Sequence, residues 1–510
     1  MDTTAEITFV FPNTSNASVK GNEEVVDCEK TTSGRTNKML HRILPSSPYN
    51  LGIFRQYIAS LAVAFSQLMI GMGTAWPSPV LPNIREHSIP LHMDNIQISW
   101  MVSLLFLGNT ISPIPSGYLM DIFGRKKTLL YLNLLPLLSW IFIWYATYPG
   151  VLYFARFLNG LWSGTVYTIV AVYIGEIAQP DIRGSLSNFN NLLKSTGSLF
   201  VFVTGPYISY SMLAIICGIV PVIFFLVFSY MPESPYYLLM AKNKTEARKS
   251  LKWLRGDKVE IELESELNQI ERAVELQTRS KATVVDLVTD PVNLRASLLC
   301  NMLAVNKLLS GFDVMVAYTS TTLPKHAFKS FGPNECVIVL GVIAVLACIL
   351  SGFILDRFNR KSLLVVSSMG CGITTLIAGI WFFFDEKTDI DVQFFSPLPF
   401  YCFSVHSIVY SIGLGPIVAN VKGEFFSANV KAISSALTTI IYAVCSFGFT
   451  KVYLMIATNL GMYANYWMFA FSCFIFTILI KIFMIETRGK TLQEVQEELG
   501  AKSQNSNVSV

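Results

Sequence analysis

Two lysines and one aspartate lie inside long apolar stretches of the sequence: Lys194, Lys307 and Asp313. A charge at the centre of a bilayer costs at least ~2.5–3.5 kcal/mol on insertion scales, so these side chains should face a water-filled cavity or one another. One interpretation is a polar site in which the lysines contact the anionic group of a charged or zwitterionic solute. The other is that Asp313 forms a structural bridge with one lysine while the second lysine extends to the membrane surface.

The sequence offers no pattern for covalent chemistry. It contains no nucleophile–base arrangement, no metal-ligand spacing and no glycine-rich phosphate loop. Its nine cysteines form no CxxC pair and lie mostly in apolar stretches, as buried small side chains do. His406 is expected to be a hydrogen-bonded core histidine. We therefore predict that the protein is neither an enzyme nor a nucleotide-driven pump, and that it uses no cofactor or metal.

The composition is typical of a membrane protein. Of 510 residues, 52% are hydrophobic and only 14% are charged. The net charge of +4 is small and dispersed, so no nucleic acid is expected as a partner. The expected partners are the lipid bilayer and a small-molecule solute, and no obligate protein partner is evident.

Twelve apolar runs are long enough to span a bilayer, which needs about 20 residues for each helix. They lie at approximately 55–80, 96–120, 127–147, 151–176, 185–209, 211–231, 294–322, 334–356, 362–384, 397–424, 430–455 and 463–485. The pattern predicts an all-α membrane protein with twelve transmembrane helices in two bundles of six.

Polar segments flank and separate the two groups of runs. The predicted divisions are a disordered tail at 1–54, a first bundle at 55–231, a linker at 232–293, a second bundle at 294–485 and a tail at 486–510. Within the linker, residues 260–279 form an amphipathic pattern with Leu263, Leu267, Ile270 and Val274 on one face. We expect this stretch to be a surface helix.

A short charged motif occurs twice, at Gly117–Lys127 and at Gly352–Lys361. Gly, Asp, Arg and Lys recur in the two copies at a constant offset of 235 residues. Each copy separates two apolar runs, so the repeat predicts a duplicated bundle with pseudo-symmetric halves and a solute site between them.

Basic residues indicate the orientation of the helices. Arg125–Lys127, Arg183, Arg360–Lys361, Lys431 and Arg488 all fall in alternate connections, whereas the connections near 147–150, 209–211 and 456–463 have no lysine or arginine. By the positive-inside rule, both termini and the linker are expected to be cytoplasmic. The predicted location is the plasma membrane.

Charged residues at the helix ends are predicted to form a cytoplasmic gating network. Their ion pairs would hold the halves together in the outward-open state and separate when the cavity opens inward. The predicted members are Asp121, Arg125, Arg156, Glu176, Arg183, Asp356, Arg357, Arg360, Glu424 and Lys431.

Over residues 55–495 the sequence resembles the sugar porter family of the major facilitator superfamily. The resemblance rests on the repeated motif, Arg156-x3-Gly160-x3-Gly164, Glu176-x6-Arg183-Gly184, Pro232-Glu233-Ser234-Pro235, Ser310-Gly311, Gly415-Pro416, Glu424 and Glu486-Thr487-Arg488-Gly489. It implies the major facilitator fold and alternating access by rocking of the two halves around a central site.

The sequence departs from the family pattern at the expected solute site. Where the family has Gln-Gln-Leu-Ser-Gly-x-Asn, this chain has the segment from Lys307 to Asp313, and it has also lost the tryptophan after Gly415-Pro416. A family glutamine corresponds to Asn191 and a family asparagine to Tyr442. The candidate substrate-binding residues are Asn191, Lys194, Lys307, Ser310, Asp313, Tyr318 and Tyr442.

The resemblance implies facilitated transport of a sugar, a hexose or a trehalose-like sugar. Proton-coupled relatives carry an acid in the first helix, and the corresponding stretch Gly71–Trp76 has none. This favours facilitated diffusion, while Asp313 leaves proton coupling open. One alternative is a carrier of an organic anion or zwitterion that uses Lys194, Lys307 and Asp313. Another is a sensor that binds solute on a transporter scaffold without moving it.

Overall fold

The computed structural model describes residues 48–85, 91–256, 259–279, 284–324, 328, 332–355, 357–426, 428–490 and 492–507. Most of the predicted tail at 1–54 lies outside them, but residues 48–54 already belong to the first helix. Asp356, a predicted gating residue, also lies outside the described residues.

The first half of the molecule and the segment that follows it are helical. The first half consists of α1 (Pro48–Ala75), α2 (Pro77–Arg85), α3 (Asn95–Ile111), α4 (Pro113–Phe123), α5 (Arg125–Leu132), α6 (Leu134–Trp144), α7 (Pro149–Ile177), α8 (Arg183–Thr204) and α9 (Tyr210–Ser229). The central segment contains α10 (Pro235–Met240), α11 (Lys244–Arg255), α12 (Glu260–Arg279) and α13 (Val284–Thr289).

The second half has the same helical character. It consists of α14 (Pro291–Leu309), α15 (Phe312–Thr322), α16 (Pro333–Leu355), α17 (Arg360–Lys387), α18 (Leu398–Ile412), α19 (Leu414–Phe425), α20 (Ala428–Asn459) and α21 (Met462–Phe483), followed by α22 (Leu492–Asn507). A single 3₁₀ turn, Gln393–Phe395, precedes α18. The described residues contain no β-strand.

Several predicted spans are divided into two consecutive helices. Pro77 and Pro113 begin α2 and α4, because proline lacks an N–H but fits the first turn of a helix. The α3–α4 pair bends by 45°. Between α14 and α15, Gly311 has a φ of +84°, and an added Cβ would overlap the ring of Phe469. This break places Lys307 and Asp313 on different helices.

Ten helical spans in the described residues are long and apolar enough to cross a membrane, or eleven if the bent α3–α4 pair is one span. The predicted span at 185–209 is the one that does not qualify. It corresponds to α8, whose 22 residues extend about 33 Å but include Asn188, Asn191, Lys194 and Ser195. Helix α8 packs between α1 and α16, so its polar face is turned to protein and to the cavity rather than to lipid.

The bundle has two distinct ends. The charged end, as we name it, carries Arg125, Glu176, Arg360 and Glu424, and the opposite end carries Tyr148 and Leu460. The halves meet at the opposite end, where α2 packs on α15 and α3 packs on α20. Along one flank α8 packs on α16, while α8 and α19 touch only sparsely.

The central segment forms a small helical cluster at the charged end. Leu263, Leu267, Ile270 and Val274 of α12 are all buried, and they pack with Ala247 and Leu251 of α11. The predicted amphipathic helix at 260–279 is therefore confirmed. Arg255 Nη1 donates to the carbonyl of Ile177, and Gln56 donates to the carbonyl of Leu254. These bonds attach the cluster to the first half.

Candidate functional site

A cavity of about 950 Å³, including the volume open to solvent, lies between the two halves. Helices α1 and α8 of the first half contribute one wall, and α14 to α16, α18 and α19 of the second half contribute the other. Helix α8 can approach α1 closely because Gly71 and Gly197 leave room for backbone contact where a Cβ would overlap a carbonyl. The polar residues of α8 are thereby held against the cavity.

An ion pair crosses this cavity. Lys194 Nζ on α8 lies 3.2 Å from Asp313 Oδ1 on α15, so the pair joins the first half to the second. The hydroxyl of Tyr442, on α20, donates to Asp313 Oδ2. Both carboxylate oxygens therefore have partners, and Asp313 is well buried. Of the two bridges that the sequence allowed, the one between Asp313 and Lys194 is formed.

Lys307 lines the same cavity without a carboxylate partner in the described part of the chain. Its Nζ lies 5.9 Å from the centroid of the Tyr442 ring, a cation–π contact. The side chain is half-buried and lines the cavity between the halves. This position favours the interpretation of Lys307 as part of a solute site.

The other candidate binding residues divide into two groups. Asn191 lines the cavity three residues before Lys194, on the same face of α8. Ser310 is buried, and its hydroxyl donates to the carbonyl of Lys307 at 2.7 Å, which helps to close the end of α14. Tyr318 is also buried, with its ring centroid 5.1 Å from that of Tyr453. Neither Ser310 nor Tyr318 forms part of the cavity wall.

Sequence reasoning missed much of the cavity wall. Phe312 and Tyr410 stack with ring centroids 3.9 Å apart and provide a flat aromatic surface. Hydroxyl groups surround it, from Thr74, Ser195, Ser198, Thr319, Ser407 and Ser411. The helical spacing of Asn191, Lys194, Ser195 and Ser198 could have indicated the α8 contribution.

His406 is a core residue, as expected. Its ring is 1% exposed, and Nδ1 lies 3.2 Å from the hydroxyl of Thr374.

At the charged end, the first half contains a compact ionic cluster around Arg125. Arg125 Nη2 lies 2.8 Å from Glu176 Oε1, and Arg125 Nη1 lies 3.6 Å from Asp121 Oδ1. The carboxylate of Glu233 accepts hydrogen bonds from the backbone N–H groups of Arg125 and Lys126 at the start of α5. Burial raises the pKa of Glu233, against the opposing effect of these N–H donors.

The second half has a corresponding cluster. Glu486 accepts hydrogen bonds from the backbone N–H groups of Arg360 and Lys361 at 2.9 and 3.1 Å, at the start of α17. Arg360 Nε lies 3.6 Å from Glu424 Oε1. Arg488 donates to the carbonyl of Arg357 at 2.6 Å. Glu233 and Glu486 thus have equivalent roles as acceptors at a helix N-terminus, which the sequence reasoning did not assign to them.

The two copies of the repeated motif differ at one backbone position. Gly124 has a φ of +97°, and an added Cβ would overlap Glu233 Oε2. Its counterpart Asn359 has a φ of −65°, which any residue can adopt. The difference in geometry explains why glycine occurs in the first copy and asparagine in the second.

Every ion pair of the predicted gating residues in the described part of the chain lies within one half. Arg183 begins α8 and Lys431 lies in the first turn of α20. Both residues are exposed, and neither forms an ion pair with another described residue. Among the residues that the structure describes, none of the predicted pairs between the halves is formed.

The assignment of Arg156 to the cytoplasmic gate is wrong. Arg156 lies in the second turn of α7, near the opposite end of the bundle, and is separated from Glu176 by about 30 Å of helix. Its guanidinium is buried, donates to the carbonyls of Gly73 and Met101, and lies 5.7 Å from the Trp76 ring. Arg156 therefore joins α7 to α1 and α3.

Polar contacts join the halves at the opposite end. The N–H of Ser320 on α15 donates to Ser78 Oγ on α2 at 3.3 Å, and the Ser320 hydroxyl donates to the Ser78 carbonyl. Lys451 Nζ on α20 donates to Ser99 Oγ at 2.9 Å and lies 4.0 Å from the Trp100 ring. These contacts cover the cavity at this end, whereas no ion pair between described residues joins the halves at the charged end.

Residues 33–499 match the family model described as "Sugar (and other) transporter". Among curated relatives, the facilitated trehalose transporter Tret1 of Anopheles gambiae is 28% identical over 450 residues, which is 88% of this chain and 56% of the relative. Tret1 of Polypedilum vanderplanki is 28% identical over 471 residues, covering 92% of both chains. The chain spans about half the length of the curated relatives that are first in this comparison, since it covers 56% and 51% of the first two.

Solved structures share the fold. The major facilitator superfamily proton:xylose symporter XylE bound to 6-bromo-6-deoxy-D-glucose aligns with a TM-score of 0.73 at 18% identity, covering 88% of this chain and all of XylE. A partially occluded inward-open conformation of XylE from E. coli gives a TM-score of 0.71 at 18% identity, covering 87% of this chain and 100% of that one. The predicted all-α major facilitator fold is confirmed.

Proposed function

The chain belongs to the family of sugar and related transporters, and on that premise we propose that it carries a hexose or a trehalose-like sugar across a membrane by facilitated diffusion. The observation that carries the proposal is the cavity between the halves, with the stacked rings of Phe312 and Tyr410 among six hydroxyl side chains. Aromatic faces pack on the apolar face of a sugar ring, and hydroxyls exchange hydrogen bonds with its alcohol groups.

The difference between the two ends supports alternating access. Contacts such as Ser78–Ser320 cover the cavity at the opposite end, whereas the ion pairs at the charged end stay within each half. This is the arrangement of a carrier whose site is accessible from the charged end. In the other state, the charged clusters of the two halves would meet and the Ser78–Ser320 contact would open.

The residues around Arg156 support uncoupled transport. Its guanidinium donates to the backbone carbonyl of Gly73, and neither α1 nor α2 contains an acidic side chain that could take a proton there. The buried arginine is thus satisfied by backbone carbonyls and is not paired with a titrating acid of α1 or α2.

The orientation proposed for this multi-pass membrane protein places the charged end in the cytoplasm, because the basic connections lie at that end. Both termini would then be cytoplasmic, and we propose the plasma membrane as the location.

Uptake by the purified protein in liposomes tests the proposal. Radiolabelled trehalose and D-glucose should enter with saturable kinetics, and an imposed pH gradient should leave the initial rate unchanged. Liposomes without protein are the control. Binding of sugar without uptake would instead favour a non-transporting sensor, and a pH-driven rate would contradict uncoupled transport.

A further inference from the structure

The charges on the cavity wall are unbalanced. Lys194, Lys307 and Asp313 line the cavity, so its wall carries two cations and one anion. The carboxylate is already engaged, since Oδ1 faces Lys194 at 3.2 Å and Oδ2 accepts from the Tyr442 hydroxyl. Lys307 is left without an ion-pair partner among the described residues.

The neighbours of Lys307 add to this imbalance. Lys194 and Lys422 act on it as like charges, and Asp313 is the one opposing charge in its surroundings as far as the structure describes them. Its contact with the Tyr442 ring, at 5.9 Å, is weak compensation for a half-buried ammonium group. An anion bound beside Lys307 would neutralise the positive charge that no described side chain pairs with.

We propose that the cavity accepts, besides neutral sugars, a sugar acid with one carboxylate, and that the ammonium group of Lys307 binds this carboxylate. The proposal rests on the proposed function, because the hydroxyl and aromatic groups of the same wall would hold the sugar part of the solute. Ser407 and Ser411 on α18, and Thr319 on α15, line the same cavity, and their hydroxyl oxygens would accept hydrogen bonds from its alcohol groups.

The geometry assigns different roles to the two lysines. Lys194 belongs to the bridge between the halves, so it is committed to Asp313 before the solute arrives. Lys307 lies at the end of α14, immediately before the break at Ser310 and Gly311. Among the charged residues of the cavity that the structure describes, Lys307 is therefore the one without an ion-pair partner. Its charge should determine how well an acidic sugar binds relative to a neutral one.

Uptake of D-glucuronate and D-glucose by the protein in liposomes tests this assignment, because the two sugars differ by one carboxylate. The wild type should take up glucuronate, and Lys307→Gln should reduce glucuronate uptake by about tenfold more than it reduces glucose uptake. Lys307→Arg should keep most of the glucuronate uptake, since it retains the charge.

Lys481→Gln is the matched control, because Lys481 is exposed on α21 and lies outside the cavity. Size-exclusion profiles establish that each variant is folded, and Lys307→Met, which also removes the charge, provides the test if Lys307→Gln is not folded. Glucuronate uptake that survives in Lys307→Gln would overturn the role assigned to Lys307 but not the proposed function. A wild type that moves glucose and excludes glucuronate would do the same. A wild type that moves neither of these sugars nor trehalose would overturn the proposed function as well.

Discussion

Lys194 on α8 and Asp313 on α15 form an ion pair that joins the two halves inside the cavity, with 3.2 Å between Nζ and Oδ1. The partners are separated by 119 residues in sequence and lie on the two halves, which would move relative to each other in the proposed transport cycle. The pair would then link the chemistry of the cavity to the conformational change.

Replacing only one partner of this ion pair should reduce stability more than replacing both partners. Asp313→Asn leaves the Lys194 ammonium without its counter-charge, and we expect a loss of about 3 kcal/mol in the free energy of unfolding. The double variant Lys194→Gln with Asp313→Asn should recover much of that loss. Thermal unfolding in detergent micelles measures the difference; equal melting temperatures for the two variants would show that the pair is not coupled.

Tyr442 should act through two separable contacts. Tyr442→Phe removes the hydroxyl that donates to Asp313 but keeps the ring beside Lys307. Loss of a hydrogen bond to a charged group costs roughly 1.5–3 kcal/mol of stability, and the less ordered Asp313 should raise the KM for uptake. Tyr442→Leu, which loses both contacts, should be worse. A KM unaffected by Tyr442→Phe would mean that the hydroxyl does not organise the cavity.

The two acidic partners of Arg125 should differ in importance. Asp121 is 3.6 Å away with a side chain 56% exposed, whereas Glu176 is 2.8 Å away and 15% exposed. Exposed pairs contribute about 0–1 kcal/mol, so Asp121→Ala should leave the melting temperature almost unchanged and Glu176→Ala should lower it. Uptake should fall in both if these charges also gate the cavity. Unchanged uptake in both variants would contradict the gating role.

The repeated motif provides an internal control for backbone geometry. Gly124→Ala forces a side chain into a left-handed conformation and against Glu233, so we expect a loss of about 1–2 kcal/mol in stability. Asn359→Ala, at the equivalent position with a φ of −65°, should have little effect. Melting temperatures of the two variants test this directly, and similar values would refute the assignment of strain to Gly124.

Glu233 should make stability depend on pH. Burial raises its pKa above the ordinary value of 4.5, so the folded protein holds this proton more tightly than the unfolded chain does. The contribution of protonated Glu233 to the free energy of unfolding should be fully present below pH 4.5. It should be lost as the pH rises through the raised pKa. Glu233→Gln should flatten this part of the melting-temperature profile, whereas Glu262→Gln, on the exposed face of α12, should not.

The sequence was sufficient to predict those features that repeat or alternate along the chain. The motif offset of 235 residues indicated two halves, and the period of Leu263, Leu267, Ile270 and Val274 gave the buried face of α12. Such patterns are local, so each can be recognised without knowing what the segment packs against.

Features set by the packing of distant helices could not be predicted in this way. The choice of Lys194 rather than Lys307 as the partner of Asp313 depends on how α8 approaches α15. The motif that contains Arg156 resembles those at the charged end, so the sequence predicts a gating role there. Arg156 lies only seven residues after Pro149, at the start of α7, which places it near the opposite end. Counting residues from Pro149 would have corrected that error.

The polar character of α8 has a consequence for how the protein is made. A helix carrying Asn188, Asn191, Lys194 and Ser195 partitions poorly into lipid by itself, and it is covered by α1 on one side and by α16 on the other. Helix α16 begins at Pro333, so it is synthesised long after α8. A fragment ending at residue 255 would leave the α16-facing surface of α8 against lipid, and membrane integration of the first half should therefore be completed only when the second half has been inserted.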